Sequence, residues 1–423
     1  MRYPEIWAPY YTLHKILAGL LDVYEWVGEE KAGETAKKLG LWAAERLSRL
    51  SPEQLVKMWS LYIAGEYGGM NEVMARLYRI FGDDRFLEAA RLFDNDKLFY
   101  PMEHHIDTLS GMHGNQHIPQ TIGALAMFEA TGEKRYYEIA SFFRRAVETA
   151  HTYAIGGTGE GEMFRTPFSI AGTLSDHTAE SCASYNMLKL TAGLYAHDPK
   201  DLLMDAYERT LFNHILAAAE KSELGRTTYF MPLKGPARKT FDDENSCCHG
   251  TGMESPFRFA QASAYRSGED LYLTQWIPME LIEEGVTLEV RVEETGLRVT
   301  ARFRKDRDGS VTLRKPAWAD INEEDLTLKG PIRAGQEWSV LLPCQTRFEP
   351  TPDDPSLGAF LWGPFVLACP TEEKGIPVSV ACPEKREGEL VFSDGEHTYV
   401  PFYQIDHETY HVYVKKPETQ AKN

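Results

Sequence analysis

The chain has 423 residues, 43% hydrophobic and 12% aromatic, which is more than one core usually organises and ample for packed domains. Its 63 acidic residues against 45 basic ones give a net charge of −18, which repels nucleic acid and anionic lipid and favours a neutral or cationic partner, neutral glycan among them. No run of about 18 apolar residues could span a bilayer, and Met1-Arg2-Tyr3-Pro4 opens no signal peptide, so neither a membrane partner nor secretion is expected and the predicted location is cytoplasmic.

From the start to about residue 265 the pattern is helical, and it repeats. "VYEWVGEEKAGETAKKL" from Val23, "LYRIFGDDRFLEAARLF" from Leu77 and "MFEATGEKRYYEIASFF" from Met127 each end one apolar-periodic run near an aromatic residue. Each then places a Gly beside an acid and starts a new run with apolar residues at i, i+3 and i+4. The Gly reads as a helix C-cap and the acid as the start of the next helix. Gly28, Gly82 and Gly132 recur about every fifty residues, the length of a helical hairpin with its return. "LYAHDPKDLLMDAYERTLF" from Leu194 is a fourth copy with Asp-Pro at the turn, and Ser255 to Tyr265 a partial one. Hairpins at this period predict an α/α toroid of the (α/α)6 type, short of its full six.

After about residue 268 the period changes to two. "LYLTQWIPMEL", "VTLEVRV", "LRVTARF", "VTLRKPAWA", "EWSVLLP", "GAFLWGPFVLAC" and "TYVPFYQI" are short strands between Gly, Asp, Asn and Pro clusters, the pattern of a β-sandwich. Residues 370–395 read as a long loop and the tail from Lys416 as frayed. The predicted organisation is multidomain, a helical toroid over 1–267 followed by a β-sandwich over 268–423. Cys344, Cys369 and Cys382 fall among the strands and read as small core residues.

Two stretches carry chemistry: Glu180-Ser181-Cys182, and Ser246-Cys247-Cys248-His249-Gly250-Thr251-Gly252. Three of the six cysteines sit here with a carboxylate. Vicinal cysteines seldom pair with each other because the small ring strains the peptide and the disulfide dihedral. Three thiolates and a carboxylate from Glu180, Cys182, Cys247 and Cys248 suit tetrahedral Zn²⁺ and disfavour magnesium or calcium. Buried reduced thiols acting as small apolar groups are the other reading. Six cysteines in so long a chain argue against a disulfide framework and for a reducing compartment. "GTGEGE" lacks the Lys-Ser/Thr and the preceding strand of a phosphate loop, so nucleotide binding is not expected.

"GGTGEGEMF", "HTAESCASYNMLKL", "TTYFMPLKG" and "SCCHGTGMES", in that order, resemble the zinc-dependent β-L-arabinofuranosidases of glycoside hydrolase families 127 and 146. "WAPYYTLHKILAGLLDVYE", "EYGGMNEVMARLYRIFGD", "HGNQHIPQTIGA", "LRKPAWA" and "LWGPFVLA" extend the resemblance over most of the chain. That family has further helices before the segment matching "WAPYYTLHK", so the resemblance implies a toroid that this chain enters part-way. It implies Cys247 as both zinc ligand and nucleophile, with Glu180, Cys182 and Cys248 completing the ligand set. It implies Glu162 as the acid/base, with Glu160 the competing carboxylate, and Tyr229 as a contact to sulfur and sugar.

His14 and His117 resemble the family's sugar-binding histidines, and His113, Asn115 and Gln116 join His117 in a polar cluster before Pro119 that favours a pocket over a core. Asn71 and Glu72 are further candidates, His249 is a possible outer partner of the metal site, and His104 and His105 receive no role. The expected function is a retaining exo-glycosidase releasing terminal β-L-arabinofuranose, or a similar pentofuranose, from an oligosaccharide or glycoconjugate. The competing readings are a non-catalytic glycan-binding protein with a structural zinc, and a glycosidase of the same fold with another sugar. The oligomeric state is left open.

Overall fold

The computed structural model describes residues 7–221, 225–242, 244–379 and 381–416; the opening at Met1 and the polar tail beyond Lys416 lie outside the described residues. Helices fill the first part of the chain and strands the last, and two compact units meet between Val147 and Glu148.

The first unit is built of helical hairpins: α1 (Pro9–Asp22), α2 (Glu30–Ser48), α3 (Pro52–Trp59), α4 (Met70–Phe81), α5 (Asp84–Arg91), α6 (Asp96–Glu103), α7 (Gly114–Thr131) and α8 (Lys134–Ala150). The repeat sits where the sequence predicts it. Gly28, Gly82 and Gly132 take φ of +77°, +67° and +72°, and each N–H bonds the carbonyl four residues back, on Tyr24, Tyr78 and Phe128. A side chain with Cβ is disfavoured in that left-handed region, so Gly is what lets the chain reverse there. The acids that follow do cap: Glu29 accepts from the Lys31 N–H and Asp83 from the Arg85 N–H. Apolar stripes then zip the hairpins, with Leu13, Leu17 and Leu21 of α1 and Val73, Met74 and Leu77 of α4 all buried.

After the end of α8, the helices of the second unit are α9 (Ser181–His197), α10 (Asp201–Thr210), α11 (Leu216–Ala218), α12 (Cys247–Glu254) and α13 (Phe257–Gln261). Helix α9 ends before Asp198-Pro199, as the fourth repeat predicts. Two expectations fail here. The helical pattern does not hold throughout, because residues 151–180 and 219–246 carry no α-helix among their described residues; glycines at 156, 159 and 161 with positive φ break it. The last hairpin is a single short helix, and the strands start at Ala264, not near 268.

The strands are β1 (Ala264–Ser267), β2 (Asp270–Leu273), β3 (Met279–Leu281), β4 (Val286–Val292), β5 (Gly296–Phe303), β6 (Val311–Leu313), β7 (Thr327–Leu328), β8 (Glu337–Pro343), β9 (Thr346–Pro350), β10 (Leu357–Trp362), β11 (Phe365–Pro370), β12 (Glu384–Lys385), β13 (Phe392–Ser393), β14 (Thr398–Pro401), β15 (Tyr410–His411) and β16 (Val414–Lys415). They form a β1-β2-β6-β7 sheet, a β3-β4-β5-β8 sheet and a larger sheet ordered β12-β13-β14-β11-β10-β16, with β9 on β10 and β15 on β11. The stretch expected as a loop over 370–395 contains the short pair β12 and β13. Cys344 and Cys369 are buried as expected, whereas Cys382 is exposed and so is no core residue.

The large sheet is apolar on both faces. Phe360, Trp362, Phe365 and Leu367 join a core with Val286, Leu288, Val299 and Leu342 of the β3-β4-β5-β8 sheet, as in a sandwich. The alternate residues Ala359, Leu361, Val366 and Ala368 pack on the other side against Tyr153, Ile155, Ile170, Ala179, Met231 and Leu233. Strand periodicity of two makes this possible, and each fully buried leucine there is worth about 1.5–3 kcal/mol. The sheet is thereby a floor under the non-helical segments that flank Glu180. Among the described residues no helix is long and apolar enough to cross a membrane.

Candidate active site and metal centre

Three extended segments lie side by side on that floor. Residues 158–163 form a small hairpin whose Glu160 and Met163 exchange both backbone hydrogen bonds, at 2.9 and 3.1 Å. Its neighbour, residues 177–181, is tied by the Ala179 N–H to the Gly159 carbonyl at 2.8 Å. The third, residues 227–231, is tied by the Ser181 N–H to Tyr229 O at 3.1 Å and by the Met231 N–H to Thr178 O at 2.9 Å. Glu162, Glu180 and Tyr229 thus come one from each segment, although the sequence separates the outer two by 67 positions.

Glu162 stands at the hairpin tip in a strained conformation. Gly161 and Glu162 have φ of +53° and +68°, the pair of positive values found in a type I′ turn. Such turns favour Asn-Gly, and a glutamate in the left-handed region costs about 1–2 kcal/mol. Strain of this kind clusters where a side chain must be aimed. The two candidate carboxylates are told apart by their partners. Glu160 is taken at both oxygens, by Arg165 Nε at 2.7 Å and Ser175 Oγ at 2.9 Å, so it braces the hairpin. Glu162 Oε1 accepts from the Tyr229 hydroxyl at 2.5 Å.

Two helix N-termini supply the sulfurs. Glu180 is the N-cap of α9 and Cys182 lies in its first turn; Ser246 is the N-cap of α12 and accepts from the His249 N–H, which places Cys247 and Cys248 in that first turn. Consecutive positions there aim two sulfurs at one centre from different directions. The ligand atoms of Glu180, Cys182, Cys247 and Cys248 all lie within 4.8 Å of one another, and Cys248 Sγ is 3.7 Å from Glu180 Oε1. With metal–sulfur bonds of about 2.3 Å, two corners of a tetrahedron stand about 3.8 Å apart, so these residues could hold a metal ion with little movement.

The four donors are not equivalent. Glu180, Cys182 and Cys248 are buried, while Cys247 is half-buried. The Tyr229 hydroxyl is 3.5 Å from Cys247 Sγ, and Cys182 Sγ is 3.1 Å from Thr251 Oγ1. Hydrogen bonds from the thiols of Cys182 and Cys248, with a further one from Tyr229, push the Cys247 thiol down; the bond with Cys247 pushes Cys182 up, and the bonds with Cys182 and then Cys247 push Cys248 up. Burial, and then the bond to Glu162, raises Tyr229, which keeps it a hydroxyl donor. Cys247 is therefore the sulfur that can be reached and the one that the Tyr229 hydroxyl meets.

Around this centre the chain adds a contact that sequence reading did not find. His249 Nδ1 is 2.6 Å from Ser246 Oγ and Nε2 is 2.6 Å from Asp242 Oδ1, so the loop before α12 is pinned to its first turn. His249 was a candidate outer partner; Asp242 carried no signal, being one acid in the acidic run Asp242-Asp243-Glu244.

The remaining candidates belong to the first unit. His14 of α1 is buried, and its Nδ1 accepts from the Gly69 N–H at 3.2 Å, with Nε2 4.0 Å from Glu72 Oε2. His113 is the N-cap of α7 and its Nδ1 accepts from the Gln116 N–H at 3.2 Å; His117 Nδ1 lies 2.7 Å from the His113 carbonyl. Burial lowers His117 to about 4, so its ring is neutral at physiological pH. Asn71 spends its amide on the Gln120 carbonyl at 2.9 Å and is a core residue.

Solved structures of similar fold extend over nearly the whole chain. A GH127 beta-arabinofuranosidase aligns with TM-score 0.74 at 16% identity, over 96% of this chain and 76% of that one. The crystal structure of a GH127 beta-L-arabinofuranosidase from Geobacillus stearothermophilus T6 aligns with TM-score 0.70 at 13% identity, over 96% and 80%. A protein described as a glycoside hydrolase aligns with TM-score 0.73 at 14% identity, over 97% and 84%. No curated protein sequence matches the chain. The family model of the beta-L-arabinofuranosidase GH127 catalytic domain matches residues 2–261, more than half of the chain and every residue of the centre described above. The chain belongs to the beta-L-arabinofuranosidase family GH127 and is a glycoside hydrolase.

Proposed function

We propose that the protein is a retaining exo-glycosidase that releases a terminal β-L-arabinofuranose, or a similar pentofuranose, from an oligosaccharide or glycoconjugate, with Cys247 as nucleophile and Glu162 as acid/base. One observation carries this reading: the Tyr229 hydroxyl touches both Cys247 Sγ and Glu162 Oε1. Its two legs put the carboxylate oxygen at most about 6 Å from the sulfur, near the ~5–5.5 Å of retaining pairs and below the range of most inverting ones. The half-buried Cys247 among buried donors argues against a closed, purely structural site.

In the first step Cys247 Sγ bonds to the anomeric carbon as the glycosidic C–O bond breaks, and Glu162 gives its proton to the leaving oxygen. In the second, Glu162 as carboxylate takes a proton from water, which attacks the same carbon and releases the sulfur. Tyr229 holds the two partners at fixed separation through both steps. Held by Glu180, Cys182, Cys247 and Cys248, a zinc ion would supply a positive charge that keeps the Cys247 sulfur ionised near neutral pH. The resemblance alone makes His14, His113 and His117 candidate sugar contacts; of these, neutral His117 has Nδ1 against the His113 carbonyl, which leaves Nε2 as the acceptor nitrogen of the ring. Three thiols gathered in one site keep this chemistry only where they are not oxidised, which fits the cytoplasm.

The test is the first-formed sugar. Proton NMR during hydrolysis of an aryl β-L-arabinofuranoside is expected to show the β-anomer appearing first, with the α-anomer growing in by mutarotation; α-anomer first would exclude a glycosyl-cysteine. Metal analysis of the purified chain is expected to give about one zinc per molecule, with Cys182→Ala and Cys248→Ala each losing most of it, since a tetrahedral site loses a quarter of its donors. Equal zinc in all three proteins would remove these residues from the ligand set.

A further inference from the structure

The β1-β2-β6-β7 sheet presents a row of side chains that the glycosidase reading does not use. Tyr265 of β1 pairs with Tyr272 of β2, Tyr272 with Thr312 of β6, and Thr312 with Thr327 of β7. Residues paired across strands point to one face, so two phenols and two hydroxyls form a line across the whole sheet. Their neighbours Leu271, Leu273, Val311 and Leu313 are buried in the sandwich core on the opposite face. The row floors a cleft of about 620 Å³, inside the roughly 300–1,000 Å³ range of small-molecule sites. Tyr195 near the end of α9, Pro199 in the turn after it and Asp201 at the start of α10 form its wall. No residue of the Cys247 centre lines it.

The chemistry of the lining selects a class of ligand. The cations are already engaged: Arg314 is buried against Asp205 and Glu208, Arg266 is 3.5 Å from Glu284, and Lys315 is 3.8 Å from Glu323. Asp201 adds a carboxylate that takes the Lys315 N–H. Each cation among the described residues of the lining faces a carboxylate, and a net charge of −18 further disfavours an anionic ligand. Tyr272 is 37% exposed, and Tyr195 and Tyr265 stand with ring centroids 4.7 Å apart. A ligand with a flat C–H face for the exposed Tyr272 ring and hydroxyls for the threonines and Asp201 fits this row, while buried Tyr195 packs against Tyr265 and holds it in place.

We infer that this cleft is a second, non-catalytic binding site for a neutral oligosaccharide segment, one that holds a glycan chain away from the residue being cleaved. The test is affinity electrophoresis of the full chain in native gels containing soluble arabinan, xylan or β-glucan, with polygalacturonate as the anionic probe. The wild type is expected to be retarded by at least one neutral polymer. Tyr272→Ala is expected to weaken that binding by about fivefold to tenfold, the scale of one lost aromatic contact, and Tyr272→Phe to stay within about twofold because the ring remains.

Thr327→Lys, on the edge strand, fills the row without removing an aromatic and is expected to weaken binding as much, so the inference stands a test even where Tyr272→Ala lowers the melting temperature. Turnover of a small aryl glycoside is expected to be unchanged in all three variants, and since retardation does not need turnover, failure of either reading is seen separately. Equal retardation of wild type and both disrupting variants, no retardation by any neutral polymer, or retardation by polygalacturonate alone would overturn the site.

Discussion

A mechanism-based electrophile of L-arabinofuranose configuration, such as a cyclophellitol-type epoxide, is expected to add one label per chain, and to add it at Cys247. Peptide mass spectrometry locates it. Three thiols sit within 4.8 Å of each other, so reactivity at one alone has to come from their surroundings. Cys182 and Cys248 are buried, while Cys247 is half-buried, has the Tyr229 hydroxyl 3.5 Å from its Sγ and lies in the first turn of α12 where the helix dipole favours a thiolate. Replacing Cys247 by alanine is expected to lower kcat/KM by about 10⁴-fold or more, as for loss of a nucleophile. A label on Cys248 would exchange the roles of the two sulfurs, and no label on a folded, zinc-loaded chain would remove nucleophilic cysteine from the mechanism.

Glu162→Gln is expected to separate substrates by their leaving groups. The amide keeps the shape and the contact with Tyr229 but cannot give a proton, so glycosides with poor leaving groups should slow by about 10²–10⁴-fold, and activated aryl glycosides far less in the bond-breaking step. An equal loss on both would move the acid elsewhere. Glu160, held at both oxygens by Arg165 and Ser175, would have to leave those partners to take its place. The backbone offers an independent readout: at φ +68° glycine is at ease where glutamate is not, so Glu162→Gly should abolish acid catalysis while raising unfolding stability by about 1 kcal/mol. A stability loss would mean the turn relies on the side chain and not on its conformation.

Much of the site was legible because its signals are local. Three cysteines and a glutamate in two short stretches announce a ligand set to anyone who knows that thiolates converge on metals, and the cap glycines announce hairpin ends because positive φ is a property of one residue. Residues 151–180 and 219–246 fall inside a helical pattern along the sequence because the helices around them dominate the periodicity. Their own extended pairing involves partners tens of residues apart, as with Ser181 and Tyr229, and leaves no period to detect. The choice between Glu160 and Glu162 is of the same kind, since both lie in one Gly-rich run and only their partners differ.

By itself the sequence determined the helix-then-strand order, the hairpin repeat, most strand positions and the two short stretches whose side chains could hold a metal ion, each element being a pattern of residue types within its own stretch. Only the tertiary structure decided which cysteine is reachable, which glutamate meets Tyr229, and that the large sheet buries both faces, its second face carrying the segments that hold Glu162, Glu180 and Tyr229. The row Tyr265, Tyr272, Thr312 and Thr327 is likewise invisible along the chain. Register between strands is set by which faces can be buried together, and that is a property of packed layers and not of any one stretch of residues.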